Sequence, residues 1–223
     1  MTDDVVPDAV TELAGLVGPG RDEIITEMDA RADSEGFPTV GPEVGGWLSM
    51  LARLTDAERI FEFGSGFGYS AYWFARGLGP DGEIVLTEID ADELDSAREY
   101  FQRAGIDDRA RFEHGDAIEI VDRYDGPFDV VLIDNEKGRY VEALDALEGK
   151  LRPGSLVLAD NAVTAGIIDR DDVVALVDGE DVPGATDASR GIAAYLRYVR
   201  DRDDFETVLL PLGEGVAVSV VTG

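Results

Sequence analysis

The sequence predicts a doubly wound α/β fold with a mostly parallel sheet, and three observations carry that expectation. Short, continuously apolar runs such as IVL and VVLI alternate with stretches whose apolar residues recur at helical spacing. A glycine-rich loop, EFGSGFGYSA, follows the first of these runs directly. Near the end of the chain, two apolar runs flank PLGEG as the arms of a hairpin would. Parallel strands read as unbroken apolar segments because helices cover both faces of the sheet, and repeated strand–helix units close it by right-handed crossovers.

Taken in order, residues 7–36 read as two short helices broken at Gly18-Pro19-Gly20. Val44, Trp47, Leu48 and Leu51 then share one helical face, in a helix ending near Leu54. Strands are expected at residues 59–63, 83–88, 110–114, 128–134 and 155–160. Leu94, Ala97 and Phe101 mark one helix between them, and Tyr140, Leu144, Leu147 and Leu151 mark another over 138–151. Ile192, Tyr195, Leu196 and Val199 mark a late helix, after which FETVLL and VAVSVV form the hairpin that makes one strand antiparallel. We expect one domain over residues 1–223, with helices in 1–54 and the sheet core in 55–223.

Composition narrows the function classes. There is no cysteine, which excludes disulfides, thiolate metal sites and cysteine nucleophiles. The start, MTDDVVPDAV, has neither a basic nor an apolar leader region, and no apolar run approaches membrane-spanning length, so a cytoplasmic protein with no membrane partner is expected. Asp and Glu number 48 against 19 Lys and Arg, a formal charge of −29 spread along the whole chain. Such a surface repels itself at ordinary ionic strength, whereas molar salt shortens the Debye length to about 3 Å. A salt-rich cytoplasm, as in a halophilic archaeon, is the expected setting. The same charge argues against nucleic-acid partners, because phosphate binding relies on Lys and Arg. Only two lysines are kept, Lys137 and Lys150.

Candidate site residues cluster after the strands. Gly64, Gly66 and Gly68 permit a sharp turn and close ligand approach, but their spacing is G-x-G-x-G and not the dinucleotide G-x-G-x-x-G. Glu88, which ends the second strand in LTEID, is placed to accept hydrogen bonds from ribose hydroxyls. Glu62 would repel a pyrophosphate and attract an ammonium. That favours S-adenosylmethionine, which has a ribose, an ammonium and no phosphate, over NAD. Asp116 in HGDA could reach an adenine edge, while the single histidine, His114, is given no role. Asp134 ends the fourth strand and Asp160-Asn161 the fifth. Singly these residues read as caps of the helices that follow. Together, on strands about 4.8 Å apart, they offer three hard oxygens to Mg²⁺ or another divalent cation.

EFGSGFGYSA, LTEID, GDA, IDNEKGRY, ADN and LLPLGEG, in this order and spacing, resemble the metal-dependent O-methyltransferases related to catechol O-methyltransferase, including the caffeoyl-CoA type. The resemblance runs from about Val40 to the C-terminus. Its most specific element is x-D-x-x-K-x-x-Y followed by D-N at the next strand end. It implies a Rossmann-like, seven-stranded sheet with one antiparallel strand. It implies metal ligation by Asp134, Asp160 and Asn161 and a catalytic role for Lys137. It also implies cofactor contacts at Val40, Glu62, Gly64, Ser65, Ser70, Glu88, Ala117 and Asp134. Its acceptors are small molecules with vicinal hydroxyls, and its members commonly form homodimers.

The chemistry is coherent with those roles. An acceptor oxygen must lose a proton before it displaces a methyl group from a sulfonium, and a bound metal favours the anion. A lysine beside a divalent cation is well suited to take that proton, whereas an arginine stays charged. Two other readings stand beside this one: an NAD-dependent oxidoreductase, and a cofactor-binding relative without activity. Base methylation of nucleic acid is not expected, since no Asn/Asp-Pro-Pro-aromatic motif follows the fourth strand. Residues 162–190 depart from the family, with RGIAAYL where Arg-x-Phe-Asn is usual, so the acceptor is not specified.

Overall fold

Strand pairing sets the frame of the molecule. In the computed structural model, which describes residues 8–223, seven strands form one sheet in the order β3-β2-β1-β4-β5-β7-β6. These are β1 (Arg59–Phe63), β2 (Glu83–Glu88), β3 (Ala110–His114), β4 (Val130–Ile133), β5 (Leu156–Ala159), β6 (Phe205–Leu210) and β7 (Val216–Val221). The first five are mutually parallel, and β7 runs antiparallel to both β5 and β6. The expected mostly parallel sheet with one reversed strand from a C-terminal hairpin is therefore present. The part of the leader reading that concerns residues 1–7 lies outside the described residues. Among the described residues no helix is long and apolar enough to cross a membrane.

Alternation along the strands divides the core between two faces. Ile60, Leu86, Val130, Leu132 and Leu158 point to one side, under α2 (Glu23–Glu35), α3 (Gly41–Leu54), α4 (Tyr69–Ala75) and α5 (Ala91–Ala104). Phe61, Phe63, Val85, Val131, Ile133 and Val157 point to the other, under α6 (Ala117–Val121), α7 (Tyr140–Asp145), α8 (Arg170–Asp178) and α9 (Asp187–Arg200). Every residue of β4 and β5 is buried, as their unbroken apolar runs require. The first helix, α1 (Asp8–Val17), and α2 flank the break at Gly18-Pro19-Gly20. Part of the acidity serves the helices directly: Asp22, Asp90, Asp116 and Asp169 cap α2, α5, α6 and α8 by accepting backbone N–H groups.

Two expectations are corrected. The helix expected over 138–151 ends at Asp145, and the chain continues in tight turns in which Glu148 N–H donates to Asp145 O and Lys150 N–H to Leu147 O. Gly149, at φ +72°, stops any helix there, yet Leu147 is still buried because turns also return a side chain to the core every three residues. Residues 162–190, which carried no predicted element, contain α8. Its apolar signal is weak, and only Val173 on it is fully buried.

Candidate active site

The strand order reverses at β1, with β2 and β3 on one side and β4 and β5 on the other. Ligands of doubly wound sheets bind at the carboxyl ends of the strands at such a point. Register lines up the residues there. Phe63 pairs with Thr87 and with Ile133, and Ile133 pairs with Ala159. Gly64, Asp134 and Asp160 thus follow the ends of β1, β4 and β5, and Glu88 closes the adjacent β2. The ladder continues one step further, as Asp134 N–H donates to Phe63 O at 2.9 Å and Asp160 N–H to Ile133 O at 3.1 Å. Those two bonds hold the two aspartates side by side.

The glycine loop is tied down by its neighbour strand. Ser65 N–H donates to Thr87 O at 3.0 Å, and Gly66 N–H to Glu88 Oε2 at 2.8 Å. Glu88 Oε1 also accepts from Ile89 and Asp90 N–H, so three backbone donors fix its carboxylate. Gly64 sits at φ +82°, and a Cβ there would lie 2.8 Å from Asp134 O, which leaves no room for a larger residue. Gly68 instead starts α4, and its face packs on Ala97 of α5.

Glu62 is fully buried at the end of β1 and accepts a hydrogen bond from Ser70 Oγ, while its Oε2 has no partner. Burial pushes its carboxyl up to about 8; the Ser70 bond opposes the rise, and Asp134 and Glu88 add to it. A cavity of about 510 Å³ opens beside it, walled by Val40, Ser65, Gly66, Ser70 and Glu88 on one side. Asp134, Lys137, Asp160 and Asn161 wall the opposite side. A smaller cavity of about 260 Å³ continues past Gly64, Glu88 and Asp134 to Asp116, Ala117 and Arg139. The structure therefore brings the predicted residues to one edge, with Glu62 and Gly68 behind the cavity walls. Asp116 is already engaged, capping α6 and accepting from Arg139 at 2.7 Å. Burial raises its carboxyl, but Arg139 and the cap outweigh that and hold it below the usual range.

On the far wall, Lys137 Nζ donates to Asp134 Oδ1 at 2.6 Å and to Tyr140 Oη at 2.8 Å, and Tyr140 Oη donates to Asp160 O at 3.2 Å. Burial raises the Asp134 carboxyl even with Lys137 opposing it. Burial, then the charge of Asp134, pushes Asp160 up to about 8. Neither aspartate caps a helix. No side chain caps α7, and Asp169 caps α8. The capping alternative is thereby removed. Lys137 lies in a single 3₁₀ turn, Lys137–Arg139, and a Cβ at Gly191 of α9 would overlap its backbone carbonyl. The glycine in RGIAAYL is thus what lets α9 pack against the lysine's turn.

Sequence reasoning missed several site residues. Phe37 lies against Gly66, at the start of a strap whose flanking glycines, Gly36 and Gly41, both have left-handed backbones. Ala165, Gly166 and Ile167 line the outer rim of the larger cavity, as does Glu214 from the β6–β7 turn. A signal for Glu214 existed. Since β7 runs antiparallel to β5, the turn before it must lie at the carboxyl edge.

The O-methyltransferase family model matches residues 24–220. A catechol O-methyltransferase from Niastella koreensis is 32% identical over 174 residues, covering 75% of this chain and 78% of that protein. The O-methyltransferase TomG from Streptomyces achromogenes, involved in tomaymycin synthesis and solved in complex with SAM, has a TM-score of 0.83 at 26% identity over 100% of both chains. The O-methyltransferase from Bacillus cereus, solved in complex with SAH, shares the fold with a TM-score of 0.82 at 24% identity over 96% of this chain and 97% of that one. With the strand order, the glycine loop and the lysine–aspartate wall in place, the chain belongs to the O-methyltransferase family.

Proposed function

We propose that the protein is an S-adenosylmethionine-dependent, divalent-cation-dependent O-methyltransferase acting on a small molecule with vicinal, catechol-like hydroxyls in a salt-rich cytoplasm. The observation that carries this reading is the far wall of the cavity, where burial lifts two neighbouring carboxyls and Lys137 is the cation beside them. Among the described residues no set of three or more histidine, cysteine or acidic side chains forms a metal cage. The donor set here is two carboxylates and an amide oxygen, Asp134, Asp160 and Asn161. Hard oxygens that burden one another with like charge fit Mg²⁺, which these three residues would hold. When bound, that cation supplies stabilisation of the deprotonated acceptor oxygen.

The chain's own residues supply the rest. Glu62 Oε2, buried without a partner, fits the ammonium of the methyl donor, and Glu88 offers its remaining lone pairs to ribose hydroxyls. Asp116, Ala117 and Arg139 border the space for the adenine. Lys137, after its ammonium has given up a proton to solvent, takes the acceptor's proton, and it is kept on the acceptor side by Asp134 and Tyr140. A nicotinamide dinucleotide suits this edge poorly, because its pyrophosphate would approach Glu62 and Glu88 with no cation from the glycine loop.

Transfer of labelled methyl from S-adenosylmethionine to a panel of catechols, in molar KCl with Mg²⁺ or with a chelator, tests the proposal. The expected result is transfer that the chelator abolishes. Transfer indifferent to the chelator removes the metal. Failure with catechols but transfer to other hydroxylated acceptors removes the vicinal-hydroxyl reading.

A further inference from the structure

We infer that Glu214, in the turn between β6 and β7, is a positioning residue that sets which atom of the Asn161 amide faces Asp134 and Asp160. The inference rests on the reading of Asp134, Asp160 and Asn161 as metal ligands. Asn161 Nδ2 donates to Glu214 Oε2 across 53 positions of sequence. A side-chain amide carries its donor and acceptor on opposite sides of the Cβ–Cγ axis, and a flip of 180° about that bond exchanges them at little intrinsic cost. An ionised carboxylate only accepts. Held against Glu214, the amide must turn Nδ2 toward it and Oδ1 away from it. Flipped, the same residue would present N–H groups to a cation and repel it.

The backbone reinforces the side chain. Glu214 O accepts from Val163 N–H at 3.1 Å and from Thr164 N–H at 3.0 Å, and Gly215 O accepts from Ala162 N–H at 2.8 Å. Three consecutive amides after Asn161 are therefore fastened to the hairpin turn. Asn161 itself has φ +54°, a left-handed conformation uncommon for non-glycine residues and better tolerated by asparagine than by most. Gly215, at φ +86°, brings its backbone so close to Val163 that a Cβ would overlap the valine side chain. Main chain and side chain of one hairpin turn thus act on one residue: the first holds the backbone that follows Asn161, and the second selects its amide orientation.

The test compares Glu214→Gln, whose amide pairs with Asn161 in either orientation and can still accept from Nδ2 when Oδ1 turns to a cation, with Glu214→Ala, which cannot. Mn²⁺ binding is read by electron paramagnetic resonance of the free ion, and binding of S-adenosylhomocysteine by calorimetry controls for folding. Glu214→Ala is expected to weaken Mn²⁺ binding about 10–100-fold, the usual effect of removing a partner that orients a metal ligand. Glu214→Gln should stay within about threefold of wild type, and cofactor binding should hold in both. Equal weakening in both variants would overturn the inference, because charge and not orientation would then be the cause. Wild-type affinity in Glu214→Ala would overturn it as well. The Asn161 side-chain amide resonance, assigned by its loss in Asn161→Ala, reads the orientation without any metal. It should be slowly exchanging in wild type and Glu214→Gln and fast in Glu214→Ala. If the wild type takes up no Mn²⁺, the metal reading fails while this resonance still decides the role of Glu214; identical behaviour in all three proteins overturns that role.

Discussion

The two halves of the carboxyl edge are built on different principles. On the β1–β2 side, polar groups within a few residues of a strand end are satisfied by backbone before any ligand arrives: Glu88 takes three N–H groups, and Ser65 is bonded to Thr87. Glu62 Oε2 is the exception. On the β4–β5 side, Asp134 crowds Asp160, Lys137 bridges to Tyr140, and the arrangement depends on Glu214 and Gly191 from distant segments. The first half is a local cradle that needs little support. The second concentrates like charge and is held in place by long-range contacts, as expected where a ligand's own charge completes the site. Binding and chemistry should separate along the same line.

The largest effect expected is on the charged half. Lys137→Arg removes a group that can take a proton and leaves one that stays charged. Turnover should fall about 10²–10⁴-fold, the usual contribution of a general base, while S-adenosylhomocysteine binding measured by calorimetry stays near wild type. If both fall together, the halves are not separable.

A smaller effect sharpens the other half. Glu62 is lifted to about 8 by burial, so below that pH it carries a proton that must leave before it can meet an ammonium. S-adenosylhomocysteine affinity should therefore weaken as pH falls below about 8, by at most about tenfold per unit. Calorimetry at pH 7 in two buffers of different ionisation enthalpy should show proton release, and Glu62→Gln should show none. Absence of release from the wild type would remove Glu62 from the ammonium contact.

The smallest effect is a control at the opposite edge of the sheet. Asp129 accepts N–H bonds from Glu58 and Arg59 and a bond from Arg152. Burial raises its carboxyl, but those donors outweigh it and hold it below the usual range. A depressed carboxyl adds stability above its unfolded value near 3.9, and that stability is lost as pH falls through the folded value. Asp129→Asn should cost about 1–2 kcal/mol at neutral pH, read by denaturant unfolding, with the difference vanishing in acid and methyl transfer unchanged. A loss of transfer would mean that the site depends on the far edge of the sheet.

Much of the cradle was legible in advance because its signals are local. Glycines at a turn after an apolar run, and acids just past strand ends, are read within a few residues of one another. The α7 region shows where local reading misleads: Leu147 keeps helical spacing from Leu144 although the chain has already left the helix at Asp145. The 162–190 segment shows where it falls silent, since α8 buries a single residue fully and is started and stopped by Asp169 and Gly179 more than by periodicity.

From residue order alone came the fold class, the reversed hairpin strand, the G-x-G-x-G turn and the acids that follow the strands, because side-chain periodicity and backbone preference act over a few residues. Tertiary structure settled that β4 and β5 are neighbours, that Asp134 and Asp160 cap nothing, and that Gly191 seats the turn of Lys137. It also brought Glu214 to Asn161. Those outcomes depend on which strand pairs with which and on where a hairpin folds back, and such long-range choices leave little trace in a local pattern.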